Sequence, residues 1–196
     1  MEQQEKRGSK LCVLLALTST KSFKPNMLVT TGKGEEFPGV AEAEEVFKRI
    51  GAEKVEVKET EIRGVLIAKV DLNPLEAASR VRELIKREPD RFFYTKRYIP
   101  LEIIVKTSLE EIRKAVEKLA DKIGENEKFR VTVEKRHTSL SSKEIIGAVA
   151  PLINRKVDLK NPDKIVLIEV LGGLTGVSIV KPEHIVSVKQ VLESIV

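Results

Sequence analysis

Short apolar runs alternate along this chain with longer segments whose apolar residues recur at helical spacing, and that alternation restricts it to a mixed α/β fold. Residues 11–17, LCVLLAL, read as a buried strand because a continuous apolar run this brief cannot make a helix. Residues 18–38 hold Ser, Thr, Lys, Gly and Pro without periodicity and read as a loop. Val40, Ala43, Val46, Phe47 and Ile50 then recur at helical spacing, with Gly51 placed to end the helix. Two strand candidates follow, one around Val55 and Val57 and one over residues 65–70. Asn73-Pro74 with Glu76 starts a second helix, with Asn as the cap and Pro at the first helical position. Residues 92–98 supply a fourth strand. The order βαββαβ is that of the ferredoxin-like arrangement.

The second half repeats the mixture in a different order. Residues 99–105 read extended, and Ser108 with Glu111 predicts a capped helix bearing Leu109, Ile112, Val116, Leu119 and Ile123. Phe129, Val131 and Val133 alternate with Arg130, Thr132 and Glu134 in the period of a half-buried strand, which ends in Lys135-Arg136-His137. Ser141 and Glu144 cap a further helix, which Pro151 should kink or end. A turn around Asn161-Pro162 leads to the β-branched strand at residues 165–170, a return strand at 177–180 and a short helical tail from residue 185. A chain of 196 residues with 41% hydrophobic content fits two compact α/β lobes. The division expected is residues 1–89 and residues 90–196.

The chain carries little catalytic chemistry. One cysteine, Cys12, excludes an internal disulfide and any multi-thiolate zinc site, and points to a reducing, cytoplasmic setting. No apolar run approaches the roughly 20 residues of a membrane helix. The two histidines, His137 and His184, belong to no nucleophile or metal-binding pattern, so no catalytic residue, cofactor or metal is expected. Thr31-Gly32-Lys33-Gly34 lacks the frame of a phosphate loop, and the glycines from 172 to 176 lie between strands instead of opening a helix. They read as a hairpin turn, with close backbone approach to RNA as the alternative.

Charge is more informative. Lys and Arg number 35 against 30 acidic residues, a formal net charge of +5, which favours an anionic partner where the excess clusters. Lys135, Arg136 and His137 form such a cluster, with Thr138, Ser139 and Lys143 beside a helix N-terminus that could offer N–H donors to an anion. On these residues alone a solvated strand end remains the alternative. The second half has Phe129 as its only aromatic, so any RNA contact there would use phosphates, 2′-hydroxyls and shape instead of base stacking.

The ordered run FRVTVEKRHTSLSSKEIIGAVA, then VDLKNPDKIVLIEVLG and GVSIVK, resembles a THUMP domain, an RNA-binding module of tRNA-modifying systems. LLALTS, EAEEVFKRIG, GVLIAKVD and KRYIPLE are similar to the amino-terminal ferredoxin-like part of THUMP proteins that serve as tRNA adaptors for cytidine acetylation. Pro151 and residues 20–38 depart from that pattern. The resemblance implies a ferredoxin-like lobe followed by a THUMP lobe, tRNA as ligand, and a separate RNA cytidine acetyltransferase as partner. Little sequence follows the THUMP pattern, so a non-catalytic accessory role is expected. Lys135, Arg136, His137, Lys143, Lys160 and Lys181 are the expected RNA contacts, with Asp158 and Pro162 shaping the turn. The alternatives are a stand-alone tRNA-modifying enzyme with an unrecognised site and a general structured-RNA-binding module.

Overall fold

A computed structural model describes residues 23–195. The strand expected at residues 11–17, and with it Cys12, lies outside the described residues. The place of the first strand is taken by β1, Met27–Thr31, inside the segment expected to be a loop. Met27, Leu28 and Val29 are wholly buried, because β1 runs between two antiparallel neighbours in the middle of a sheet. Helix α1, Glu36–Arg49, starts inside the segment expected to be a loop, four residues before Val40. Pro38 is tolerated there because the first-turn N–H it lacks would have no partner within the helix.

The elements that follow are β2 (Val55–Glu59), β3 (Val65–Val70), α2 (Pro74–Arg87) and β4 (Thr95–Pro100). Asn73 caps α2 as expected, its Oδ1 accepting from Leu75 N at 2.9 Å and Glu76 N at 3.3 Å. Strand order β2-β3-β1-β4 with antiparallel pairing is the ferredoxin-like sheet. Strand alternation sends Met27, Val29, Leu66, Ala68 and Tyr98 to one face, where they pack with Val46 and Phe47 of α1 and Val81, Leu84 and Ile85 of α2.

The extended stretch at residues 99–105 is divided between two sheets. β4 ends at Pro100, and β5, Ile103–Lys106, opens the second sheet. That sheet is completed by β6 (Phe129–Arg136), β7 (Lys164–Leu171) and β8 (Leu174–Val180) in the order β5-β8-β7-β6, with β6 and β7 parallel. Helices α3 (Leu109–Leu119) and α4 (Ser142–Val149) cover one face through Ile112, Val116, Ile145 and Val149. Pro151 ends the regular helix as expected, and Ala150–Leu152 continue as a 3-10 turn.

The division at residue 89 is not where the chain changes sheets. β4 is hydrogen-bonded to β1, and the tail returns to the first sheet as β9 (Val186–Ser187), paired with β4, and α5 (Val188–Glu193), whose Val188 and Val191 enter the first core. The two sheets also share a core. Leu28, Val65, Ile99 and Leu101 pack with Ile165, Leu167 and Val180.

Candidate nucleic-acid interface

Parallel pairing of β6 with β7 in the register Arg136↔Leu171 places the end of β6 beside the hairpin that joins β7 to β8. Gly172 turns this hairpin at φ 61°, a left-handed conformation for which glycine has no Cβ penalty. Its N–H donates to Arg136 O at 2.9 Å, so hairpin and strand end are locked together. The chain then leaves β6 through His137 at φ 54°, an uncommon conformation for a residue with a side chain. The resulting loop is closed by Leu140 N donating to Thr138 Oγ1 at 3.2 Å and by Lys135 Nζ donating to Leu140 O at 3.1 Å. Lys135 and His137 are exposed, and Lys143 follows, exposed, in the first turn of α4.

The N-terminus of α4 is less open to an anion than its sequence suggests. Ser141 N donates to Glu144 Oε2 at 2.8 Å and Glu144 N to Ser141 Oγ at 3.1 Å, a reciprocal capping box that occupies two donors. The Ser141 hydrogen bonds, helped by the nearby Lys135 charge, hold the Glu144 carboxyl below its ordinary range. The groups left open to an anion at this end are therefore the lysine and histidine side chains.

Arg136 differs from its neighbours. Alternation turns it to the opposite face of the strand from Lys135, and its Nη1 donates to Glu169 Oε2 at 2.9 Å. Burial pushes the Glu169 carboxyl up, while the Arg136 guanidinium opposes that shift. Of the expected cationic contacts at this end, Lys135, His137 and Lys143 face solvent and Arg136 is engaged within the protein.

Lys160 and Lys181 are not part of this group. Lys160 belongs to the turn before β7, and Lys181 follows β8, whose Val180 lies opposite Ile165 at the start of β7. Both are at the other end of the second sheet, roughly 20 Å away at about 3.3 Å per strand residue. Asp158 shapes the turn, its Oδ1 accepting from Lys160 N at 3.1 Å and Asn161 N at 2.9 Å, while Oδ2 pairs with Lys128 Nζ at 3.1 Å. The backbone N–H of Asn161, then the Lys128 ammonium, hold this carboxyl low. Val157 and Leu159 project beside it, 54% and 70% exposed.

Sequence reasoning missed Lys106. β5 pairs with β8 so that exposed Lys106 lies opposite Leu174, next to the hairpin and hence at the Lys135 end. Only the pairing of strands far apart in sequence could reveal it. Among the described residues no group of three or more His, Cys, Asp or Glu is placed to hold a metal ion, and no helix is long and apolar enough to cross a membrane.

Residues 106–180 match the family described as THUMP domain. An uncharacterized protein of Methanocaldococcus jannaschii, MJ0421, is 39% identical over 82 residues, which cover 39% of this chain and 23% of that protein. The crystal structure of PH1313 from Pyrococcus horikoshii superimposes with a TM-score of 0.59 at 26% identity, over 81% of this chain and 55% of that one. TrmN from Thermus thermophilus has the same fold over 78% of this chain and 44% of its own, with a TM-score of 0.50 at 18% identity. This chain thus spans between about a quarter and just over half the length of these relatives. Residues 106–180, from the end of β5 to β8, thus match a THUMP domain, and they are joined to a ferredoxin-like lobe.

Proposed function

We propose that this chain binds tRNA as a non-catalytic accessory factor and presents it to a separate RNA cytidine acetyltransferase for N4-acetylcytidine formation. The observation that carries the RNA-binding part is the grouping of Lys135, His137 and Lys143 around a rigid strand end and hairpin of the THUMP domain. Fixed cations on a surface without exposed aromatics suit the phosphates and 2′-hydroxyls of a folded RNA. The accessory role and the acetyltransferase partner are supported by the resemblance of most of residues 11–190 to tRNA adaptors for cytidine acetylation.

Binding of an unmodified tRNA transcript, measured across a salt series, tests the first part. With three to five phosphates engaged, the slope of log affinity against log salt should lie between about −2 and −5. Lys135→Ala with Lys143→Ala should weaken binding by roughly tenfold, and Lys160→Ala with Lys181→Ala by less than about threefold, because the second pair lies at the far end of the sheet. Equal effects would remove the distinction between the two ends. Equal affinity for an unrelated structured RNA would reduce the reading to general RNA binding.

Deletion of the protein from its host, followed by nucleoside analysis of tRNA, tests the second part. Loss of N4-acetylcytidine supports the adaptor role, and unchanged acetylation defeats it. Product formed from tRNA and donor by the purified chain alone would make it an enzyme.

A further inference from the structure

Glu169 is the one charged side chain that is completely buried among the described residues. It lies on β7 in alternation with Ile165 and Leu167, on the face that packs against Leu28, Val65 and Ile99 of the first sheet. Packing alone would favour an aliphatic residue there, since taking a carboxylate out of water costs several kcal/mol. Its Oε2 accepts from Arg136, while Oε1 is buried without a hydrogen-bond partner. Arg136 is held twice, by its side chain to Glu169 and by its carbonyl to Gly172 N. The next residue is His137 in the left-handed conformation, from which the Lys135–Lys143 surface continues.

The same carboxylate faces the first lobe. Arg97 shares a face of β4 with Ile99, which packs in one cluster with Leu167, two residues before Glu169. The Arg97 guanidinium, like that of Arg136, favours the charged form of Glu169, whereas Glu134, its register partner on β6, disfavours it.

We propose that Glu169 is a positioning residue for RNA binding: by holding Arg136 between the two lobes it sets the left-handed exit at His137 and the placement of Lys135 and Lys143. The proposal rests on the tRNA-binding reading above. Arg136 in this role does not contact phosphate itself, and that separates the proposal from the direct-contact alternative by the sign of one effect.

The full chain carrying Glu169→Leu has one negative charge fewer and leaves the Arg136 guanidinium without its acceptor. Were Arg136 a phosphate ligand, tRNA binding would tighten and its salt dependence steepen. Positioning gives the opposite result, roughly tenfold weaker binding in spite of the added positive charge. Binding as tight as wild type, or tighter, in the folded variant overturns the proposal.

The double variant Arg136→Leu/Glu169→Leu keeps the net charge and replaces the buried pair by apolar groups, which is often neutral or stabilising. It decides the matter if the single variant does not fold. A melting temperature at or above wild type with roughly tenfold weaker binding, and no further loss when the same pair is replaced in the Lys135→Ala/Lys143→Ala chain, supports positioning; a further, additive loss makes Arg136 a direct ligand and overturns it, and wild-type affinity shows the pair to be packing alone. If Lys135→Ala/Lys143→Ala weakens binding and the Glu169 variants do not, only the positioning role falls. If the wild-type chain does not bind tRNA, the functional reading falls with it.

Discussion

Lys135 and Arg136 are adjacent in sequence and have different roles in the structure. A strand's two-residue period sends one to solvent and the other to a buried carboxylate, and the cluster KRH does not say which is which until the face turned to the core is known. Arg136→Ala should therefore lower stability, by about 2–3 kcal/mol, because it leaves the Glu169 carboxylate buried and unpaired; the figure is at the low end for a broken buried pair because Arg136 partly reaches solvent. Chemical denaturation measures it directly. The loss should be pH-dependent. A carboxyl raised by burial contributes stability that is present below its ordinary value of 4.5 and is lost as pH rises through the raised value. Without Arg136 to oppose burial, and with Glu134 beside it and Arg97 as the remaining cation, the raised value moves further up. The melting-temperature deficit of the variant should thus narrow from pH 7 towards pH 5; a constant deficit would show that the carboxyl does not titrate in this range. His137 illustrates what the residue alphabet hides: nothing in the run KRHTS announces its left-handed φ of 54°.

The capped helices are the most legible elements, since the starts of α2, α3 and α4 depend on residues two or three apart. Ser141 and Glu144 form the reciprocal capping box that their spacing predicts, and Ser141→Ala should cost about 1 kcal/mol with little change in the rest of the sheet. Thermal melts of the variant test this, and an unchanged midpoint would mean that the 3-10 turn at Ala150–Leu152 and the packing of Ile145 and Val149 hold the helix without its cap. Ser108 is a simpler case: its hydroxyl accepts from Glu111 N at 3.2 Å, but the Glu111 carboxylate pairs with Lys114 instead of returning to the cap. Strands were harder to read. β1 is five residues long, preceded by Pro25-Asn26 and followed by a glycine turn, and the apolar run at residues 11–17 outweighed it as the first strand. What makes MLVTT a central strand is its two antiparallel neighbours, and neither is near it in sequence.

At the level of the whole molecule the two lobes are joined by a core as well as by the chain. Leu167 of the second sheet is buried against residues of the first, so Leu167→Ala should remove about 2–5 kcal/mol and lower the melting of both lobes in one transition. Two separate transitions, with only the second lobe affected, would show that the lobes fold independently. The return of β9 and α5 to the first sheet strengthens that union, because the tail supplies Val186, Val188 and Val191 to a core built mainly by residues before Pro100. The same long-range pairing sorts the cations: it puts Lys135 at the hairpin end of the second sheet, with Lys106 at that end of the other edge strand, and leaves Lys160 and Lys181 at the far end. The sequence by itself determined the α/β class, the ferredoxin-like order, the starts of the capped helices and the VDLKNPD turn, because periodicity, capping and turn chemistry act between near neighbours. Only the tertiary structure decided which lysines share a surface, that Arg136 is held by Glu169, and where the chain passes from one sheet to the other. Each depends on groups tens of residues apart, whose meeting is settled by strand register and by the burial of apolar faces, not by local preference.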